Sequence, residues 1–367
     1  MAKSNTQTTG AHTALLERLK KASKIDQSDV LSDSKFFNEA DPAITDVPML
    51  NVALSGQVDD GLRSGLLTIA GPSKHFKTLL ALICIAAYMK KHPTAVCMFY
   101  DSEFGAAKSY FEACGVDPTR VLHNPIENIE VIKFDIINQL TELKRGEKVV
   151  FLIDSIGNLA SKKEVDDALK ENSAADMTRA KALKGLFRMI TPFLSTKDVP
   201  MIAINHSYQT QEMFSKTVMS GGTGIAYSSN ITWIMGRRQD KDEDGINGYH
   251  FIINVEKSRM VKEKSKIPIS VTFAKGIQKY SGLLDIAVEL GYVIKPSVGW
   301  YQSFDPETKK ELSGKTRADD TNTSAFWKPV FTQTDFATAL KNRYQLGQIK
   351  MLADDVAEIV AADTDTE

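Results

Sequence analysis

Residues 65–89 run GLLTIAGPSKHFKTLLALICIAAYM. An apolar run, a turn opening on Gly71 and Pro72, and a long apolar run predict strand, turn and helix. The turn GPSKHFKT has the spacing of a phosphate-binding loop. In such a loop, backbone amides at a helix N-terminus cradle phosphates, a lysine reaches the outer phosphates and a hydroxyl holds magnesium. On that pattern Gly71, Pro72, Ser73, Lys74, His75, Phe76, Lys77 and Thr78 form the cradle. Lys77 supplies the cation and Thr78 the metal-binding hydroxyl. One position departs: Phe76 stands where glycine usually precedes the lysine, and a side chain there narrows the backbone choices.

Outward from this stretch, short apolar runs alternate with helical ones to about residue 300. AVCMFYD (95–101) is followed by helical patterns at 105–114 and 126–144, VVFLID (149–154) by one at 175–195, and then comes PMIAIN (200–205). Continuous apolar strands separated by helices predict an α/β fold with a mainly parallel sheet covered on both faces. ITWIMG, YHFIINV and PISVTF follow without long helices between them, so the sheet should finish with antiparallel strands. Two strand ends carry acids. Asp154 closes VVFLID at the edge where open parallel sheets hold ligands, and its carboxylate suits the magnesium shell. Glu103, just past another strand end, is placed to orient a water for attack on a γ-phosphate, with Asp101 as the competing candidate.

The flanks differ from this core. Residues 1–45 are polar apart from Leu15, Leu16, Leu19 and Ala22, which recur at helical spacing beside Arg18, Lys20, Lys21 and Lys24. Such a narrow amphipathic helix needs a surface to dock on, in its own chain or a neighbour. The chain therefore divides at 1–45, 46–300 and 301–367. In the last part 303–325 is expected to be irregular. Phe336, Leu340 and Tyr344 mark a helix stripe, and 354–367 carry six acidic side chains and no basic one.

The 367 residues, 43% apolar and 25% charged, exclude collagen, a disulfide-knit scaffold and a wholly disordered chain. No apolar run reaches membrane-spanning length and no signal peptide opens the chain, so a cytoplasmic protein without a membrane partner is expected. Cys84, Cys97 and Cys114 never form CxxC and are expected to be reduced packing thiols. With a net charge of −1, any nucleic-acid affinity has to come from local surfaces.

The ordered set GPSKHFKT, YDSEFG (100–105), FLIDS (151–155), DSIGNLASKKE (154–164), NHSYQTQEMFSKTVMSGGTG (205–224) and NVEKSRMVKEKSK (254–266), with SKFFNEADP at 34–42, resembles the RecA/Rad51-class recombinases. Within that class it is most similar to those of T4-like phages, which share the phenylalanine in the nucleotide loop. The likeness runs from about residue 30 to 345. It implies a RecA-like P-loop ATPase core with a mainly parallel central sheet, an N-terminal helical oligomerisation segment and a small C-terminal helical region, using ATP and Mg2+.

The resemblance also implies roles. Glu103 would activate water and Tyr110 would stack on adenine. His206 occupies the place of a γ-phosphate sensor that is commonly glutamine. Lys257 and Arg259 would reach across a filament interface to the ATP of the next subunit; by charge alone they belong to a solvated edge strand. Two loops would line the filament axis and hold single-stranded DNA. The first, about 157–172, carries Lys162 and Lys163, and between residues 162 and 188 seven basic side chains face five acidic ones. The second, about 205–225, has no periodicity and is long for a compact domain, which itself indicates a lid or binding loop. There Ser207, Gln209, Gln211 and Lys216 suit phosphate and sugar, while Tyr208 and Phe214 suit base stacking.

So modest a local positive charge implies that DNA affinity accumulates along a filament of many copies. The implied activity is ATP hydrolysis to ADP, and further to AMP by likeness to the phage enzymes. It would be coupled to polymerisation on single-stranded DNA, homology search in duplex DNA and strand invasion. Implied partners are both forms of DNA, further copies of the chain, and mediator and single-strand-binding proteins. The acidic terminus is either solubilising or a strip that competes with DNA for basic residues. A hexameric RecA-core helicase, a small-molecule kinase and a DNA-coating module without hydrolysis are the competing classes.

Overall fold

The structure, a computed structural model, describes residues 5–25, 27–34, 41–170, 178–210, 217–242 and 245–347, in two units, 1–41 and 42–367. The first unit holds helix α1 (Asn5–Ala22), which carries the expected leucine stripe, and Lys20 Nζ meets Asp29 Oδ1 at 2.7 Å in the turn beyond it. The acidic stretch 354–367 lies outside the described residues.

The second unit opens with α2 (Pro48–Ser55), where proline at the first helical position costs no hydrogen bond. Strand and helix then alternate as β1 (Gly65–Ala70), α3 (Lys77–Lys91), β2 (Val96–Asp101), α4 (Lys108–Ala113), β3 (Val121–Pro125), α5 (Ile129–Glu142), β4 (Val149–Asp154), α6 (Lys162–Leu169), α7 (Thr178–Lys197) and β5 (Pro200–Asn205). A small hairpin, β6 (Ser207–Gln209) and β7 (Thr217–Met219), and helix α8 (Thr223–Ser228) lead to β8 (Ile231–Asp242), β9 (Gly245–Lys257), β10 (Lys266–Thr272) and β11 (Gly276–Ile277).

Among the described residues these strands form one sheet in the order β11-β10-β9-β8-β1-β5-β4-β2-β3. From β8 to β3 neighbours run parallel; from β8 to β11 they run antiparallel, as expected. Alternation along β4 shows why its whole run is apolar. Val150 and Leu152 join the core under α3, while Val149, Phe151 and Ile153 join the core under α5 and α7. Helix α7 supplies Leu183, Leu186, Phe187, Ile190 and Leu194 to that second layer at helical spacing. Each such buried side chain is worth about 1.5–3 kcal/mol relative to exposure.

One expectation is corrected. The segment 303–325 is not irregular. After α9 (Leu283–Glu289), strands β12 (Val293–Ser297), β13 (Trp300–Asp305), β14 (Lys310–Glu311) and β15 (Thr316–Arg317) form a small antiparallel sheet; α9 and α10 (Ser324–Gln333) pack beside it, and α11 (Phe336–Tyr344) packs against α10 and α2. The C-terminal helical region thus also carries a small antiparallel sheet. Trp327, Phe331 and Phe336 cluster there, with ring centroids 5.5–6.2 Å apart. Strand β3 was also not foreseen; it is an edge strand of half-exposed and exposed residues with proline at its end, so it lacks the apolar signature of its neighbours.

Candidate functional site

Parallel strands bring their C-terminal ends to one edge, and the chemistry collects there. From β1 the chain enters the turn 71–78 and then α3. Lys77 is 7% exposed and donates from Nζ to Pro72 O at 2.9 Å. Burial lowers its ammonium pKa, against the raising pull of Glu103 and Asp154. Thr78 Oγ1 donates to Asp154 Oδ2 at 2.7 Å. Asp154 is 5% exposed, and burial pushes its carboxyl up to about 6; the Thr78 bond and Lys77 pull it down, Glu103 and Asp101 push it further up. A buried carboxyl held that high lacks sufficient counter-charge. With the Thr78 hydroxyl it offers the hard oxygen pair that a divalent cation takes beside phosphate oxygens and water.

Phe76 adopts the left-handed conformation, φ 51°, ψ 29°, that glycine would favour. Its ring lies 5.2 Å from that of Phe251 and 6.5 Å from that of Tyr249 on β9. Arg237 of β8 packs over the Tyr249 ring at 4.6 Å and donates to Lys74 O at 3.1 Å. The turn is therefore held from outside by an aromatic patch and an arginine, neither of which the loop pattern contains. Beside it a cleft of about 770 Å³ is lined by Phe76, Leu79, Ile83, Tyr110, Cys114 and Phe273. Tyr110 thus faces the space adjoining the turn, and burial pushes its hydroxyl up to about 12.

At the ends of β2, β4 and β5 a second cluster forms. Glu103 Oε1 accepts from Ser155 Oγ at 2.6 Å and from Asn158 Nδ2 at 3.2 Å, and lies 3.1 Å from His206 Nε2. Asp101 is committed elsewhere: Oδ1 accepts from the backbone amides of Glu103 (3.0 Å) and Phe104 (2.7 Å), and Oδ2 lies 3.2 Å from His123 Nε2. It shapes the turn that presents Glu103. Gly157 passes so close to His206 that a Cβ on it would sit 2.2 Å from His206 Cδ2. Ser155, Asn158 and Gly157 were missed by motif reading, although they directly follow the legible Asp154.

Lys257 and Arg259 are not brought to this edge. Lys257 pairs with Thr232, and Arg259 lines a cleft with Gly65 and Leu66 at the start of β1. At about 3.3 Å per residue, β1 separates that end from the turn by roughly 17 Å. Lys257 Nζ donates to Ala226 O (2.8 Å) and Tyr227 O (3.0 Å) at the C-terminal end of α8, and burial, then Arg259, lowers its pKa.

The first predicted loop is in good part helical. Ser161 and Glu164 form a reciprocal capping box that starts α6, placing Lys162 and Lys163 in its first turn. Lys162 N donates to Glu130 Oε2 at 2.8 Å, and Lys163 Nζ meets Asp167 Oδ2 at 2.7 Å. The second loop is more ordered at its base than expected. Ser207, Tyr208 and Gln209 pair with Met219, Val218 and Thr217. Tyr208 is 57% exposed, and Gln209 Nε2 donates to Thr217 Oγ1 at 2.7 Å. Gln211, Phe214 and Lys216, and residues 171–172 of the first loop, lie outside the described residues.

The RecA N-terminal domain family matches residues 38–278, and the family described as Bacteriophage T4, Recombination and repair protein, C-terminal domain, matches 280–340. The recombination and repair protein of Enterobacteria phage T4 is 53% identical over 355 residues, 96% of this chain and 90% of its own length. Protein RecA of Cytophaga hutchinsonii is 26% identical over 275 residues, 71% of this chain and 74% of its own. Protein RecA of Ruegeria pomeroyi is 27% identical over 249 residues, 67% and 70% of the two chains.

Proposed function

Since this chain belongs to the RecA family and is a recombinase, we propose that it hydrolyses ATP to ADP and phosphate, and onward to AMP, at a site that a second copy completes. Lys77 leaves Pro72 O for the β- and γ-phosphate oxygens, which replaces a weak carbonyl partner by full negative charge. Thr78 and Asp154 would hold Mg2+, which would supply charge neutralisation. Glu103 Oε1 takes the proton side of the attacking water, presented by Ser155 and Asn158. Asp101 positions the turn. His206 senses the γ-phosphate next to Glu103, and Tyr110 packs on the base in the adjoining cleft.

The observation that carries this reading is a separation. Lys77, Thr78, Asp154, Glu103 and His206 converge at one edge of the sheet, while Arg259 lines a cleft at the opposite end of β1 and Lys257, level with Thr68 of β1, is bonded to the end of α8. Cations on that far face are suited to a neighbour's triphosphate in a head-to-tail assembly, and such heterologous contacts propagate as an open helix. Nucleotide at the seam then decides whether many weak DNA contacts act together. The segments around α6 and the β6–β7 hairpin hold single-stranded DNA through Lys162, Lys163, Ser207, Tyr208, Gln209, Gln211, Phe214 and Lys216. Pairing with a homologous duplex supplies sequence specificity. Mediator and single-strand-binding proteins are the further partners, and the site of action is the bacterial cytoplasm. Among the described residues, no helix is long and apolar enough to cross a membrane.

ATP turnover measured with and without single-stranded DNA, followed by imaging of the complex, tests this reading. Stimulated turnover on open helical filaments is the expected result. Closed rings, or turnover indifferent to DNA, would contradict it.

A further inference from the structure

By charge alone Arg179, in the first turn of α7, belongs with the cations that would face DNA. Its donors point the other way. Nε donates to Leu159 O at 2.8 Å, Nη2 to Ile156 O at 3.0 Å and Gly157 O at 2.7 Å, and Nη1 to Ser220 Oγ at 3.2 Å. A guanidinium has five N–H groups in a rigid fork, and four are engaged here. Three hold the backbone that follows Asp154; the fourth holds the residue that ends the β6–β7 hairpin.

Those two backbones flank His206. Gly157 is pressed against its ring on one side. On the other, Ser220 N donates to His206 O at 2.9 Å, and Ser220 O accepts from Asn205 Nδ2 at 2.9 Å. Any shift of His206 therefore pushes on Gly157 and on Ser220, and the guanidinium spans the two. Without that bridge the two segments lose this direct link: the hairpin stays tied to Asn205 and His206, the α6 segment to Ile204 and Glu130, and each can relax separately.

We propose that Arg179 is a positioning residue that makes the α6 segment and the β6–β7 hairpin respond together to events at Glu103 and His206. The inference rests on the reading that the site takes a nucleotide and that these segments hold DNA. Arg179 is then a coupler rather than a phosphate contact. Lysine keeps the charge, but its point-like ammonium cannot hold three carbonyls and a hydroxyl at once. Ser220→Ala removes only the hairpin link.

The test is amide hydrogen exchange over residues 156–170 and 217–228 of the full chain, with and without a non-hydrolysable ATP analogue, alongside turnover with and without single-stranded DNA. In the wild type the analogue should slow exchange in both segments. In Arg179→Lys the protection of one segment should fall by about tenfold relative to the other, and DNA stimulation should fall by about tenfold, within the usual range of coupling between sites. DNA-free turnover should stay within about twofold, since coupling rather than chemistry is removed. Ser220→Ala should act in the same direction, and add nothing in the Arg179→Lys background. Paired protection of wild-type size in both variants overturns the proposal. So does an Arg179→Lys protein that merely binds DNA more weakly with its paired protection intact. If Arg179→Lys does not fold, Ser220→Ala alone decides. A wild-type chain in which the analogue protects neither segment counts against the nucleotide and loop assignments instead.

Discussion

Glu103 Oε1 and His206 Nε2 lie 3.1 Å apart, at the ends of strands that are not neighbours in the sheet. The glutamate is also held by Ser155 and Asn158, so removing His206 would not release it. Glu103→Ala should leave ATP binding intact and slow hydrolysis by at least ~10²-fold, as loss of a positioned base does. Single-turnover hydrolysis together with a nucleotide-binding titration measures both. Normal hydrolysis would move the role to Asp101, although its Oδ1 already accepts from the amides of Glu103 and Phe104 and its Oδ2 lies beside His123 Nε2.

Phe76 opposes two effects at one residue. A non-glycine residue in left-handed geometry costs roughly 1–2 kcal/mol. Against that stand ring contacts with Phe251 and Tyr249, each about 0.5–1.5 kcal/mol, on top of the burial of a large apolar side chain, about 1.5–3 kcal/mol if complete. Contacts should win. Phe76→Gly should therefore lower the stability of the nucleotide-free protein by about 1–3 kcal/mol in urea unfolding, since Gly also gains entropy in the unfolded chain. A stabilised variant would mean that strain dominates and that the aromatic patch contributes little.

Lys77 is a nearly buried ammonium bonded to a neutral carbonyl, which is an expensive arrangement without a polyanion. Lys77→Ala should abolish ATP-dependent filament formation while leaving the thermal midpoint of the nucleotide-free chain unchanged or raised. That combination separates loss of the site from loss of the fold. Unchanged filaments in ATP would show that phosphate is bound elsewhere.

The legible parts of this molecule are those whose physics is local. β1, β2, β4 and β5 are covered on both faces, so nearly all their residues had to be apolar and their ends could be located, with Asp154 falling on the last residue of β4. β3 escaped because an edge strand carries no such constraint. Helix α6 escaped because none of its residues is buried, leaving only the spacing of Ser161 and Glu164 to announce it. In the site, Lys77 and Thr78 sit in a contiguous motif. The bonds from Ser155 and Asn158 to Glu103 and from Arg237 to Lys74 join segments 52 to 163 residues apart. Nothing in the spacing of one sequence encodes such bonds. Arg179 was visible as a charge and misleading as one, because its count among basic residues says nothing of where its donors point.

The cysteines give a test of the cleft beside the nucleotide turn. Burial pushes the thiols of Cys84 and Cys97 up to about 12, and that of half-buried Cys114 up to about 11, from an ordinary 9.0. Only thiolate is alkylated, and below the pKa its fraction falls tenfold per unit, so the reactive form is reduced about a hundredfold at Cys114 and about a thousandfold at the other two. The sign for stability follows. Above pH 9 the unfolded chain gives up thiol protons that the folded chain keeps, so these groups weaken the fold as pH rises from there. Native alkylation at pH 8 should modify one cysteine, Cys114, with a rate rising about tenfold per pH unit toward 11. Because Cys114 and Tyr110 line the same cleft, ATP should slow that reaction. Peptide mapping that finds Cys84 or Cys97 modified first would contradict their burial. Labelling of Cys114 unaffected by saturating ATP would mean that the base does not lie against Tyr110.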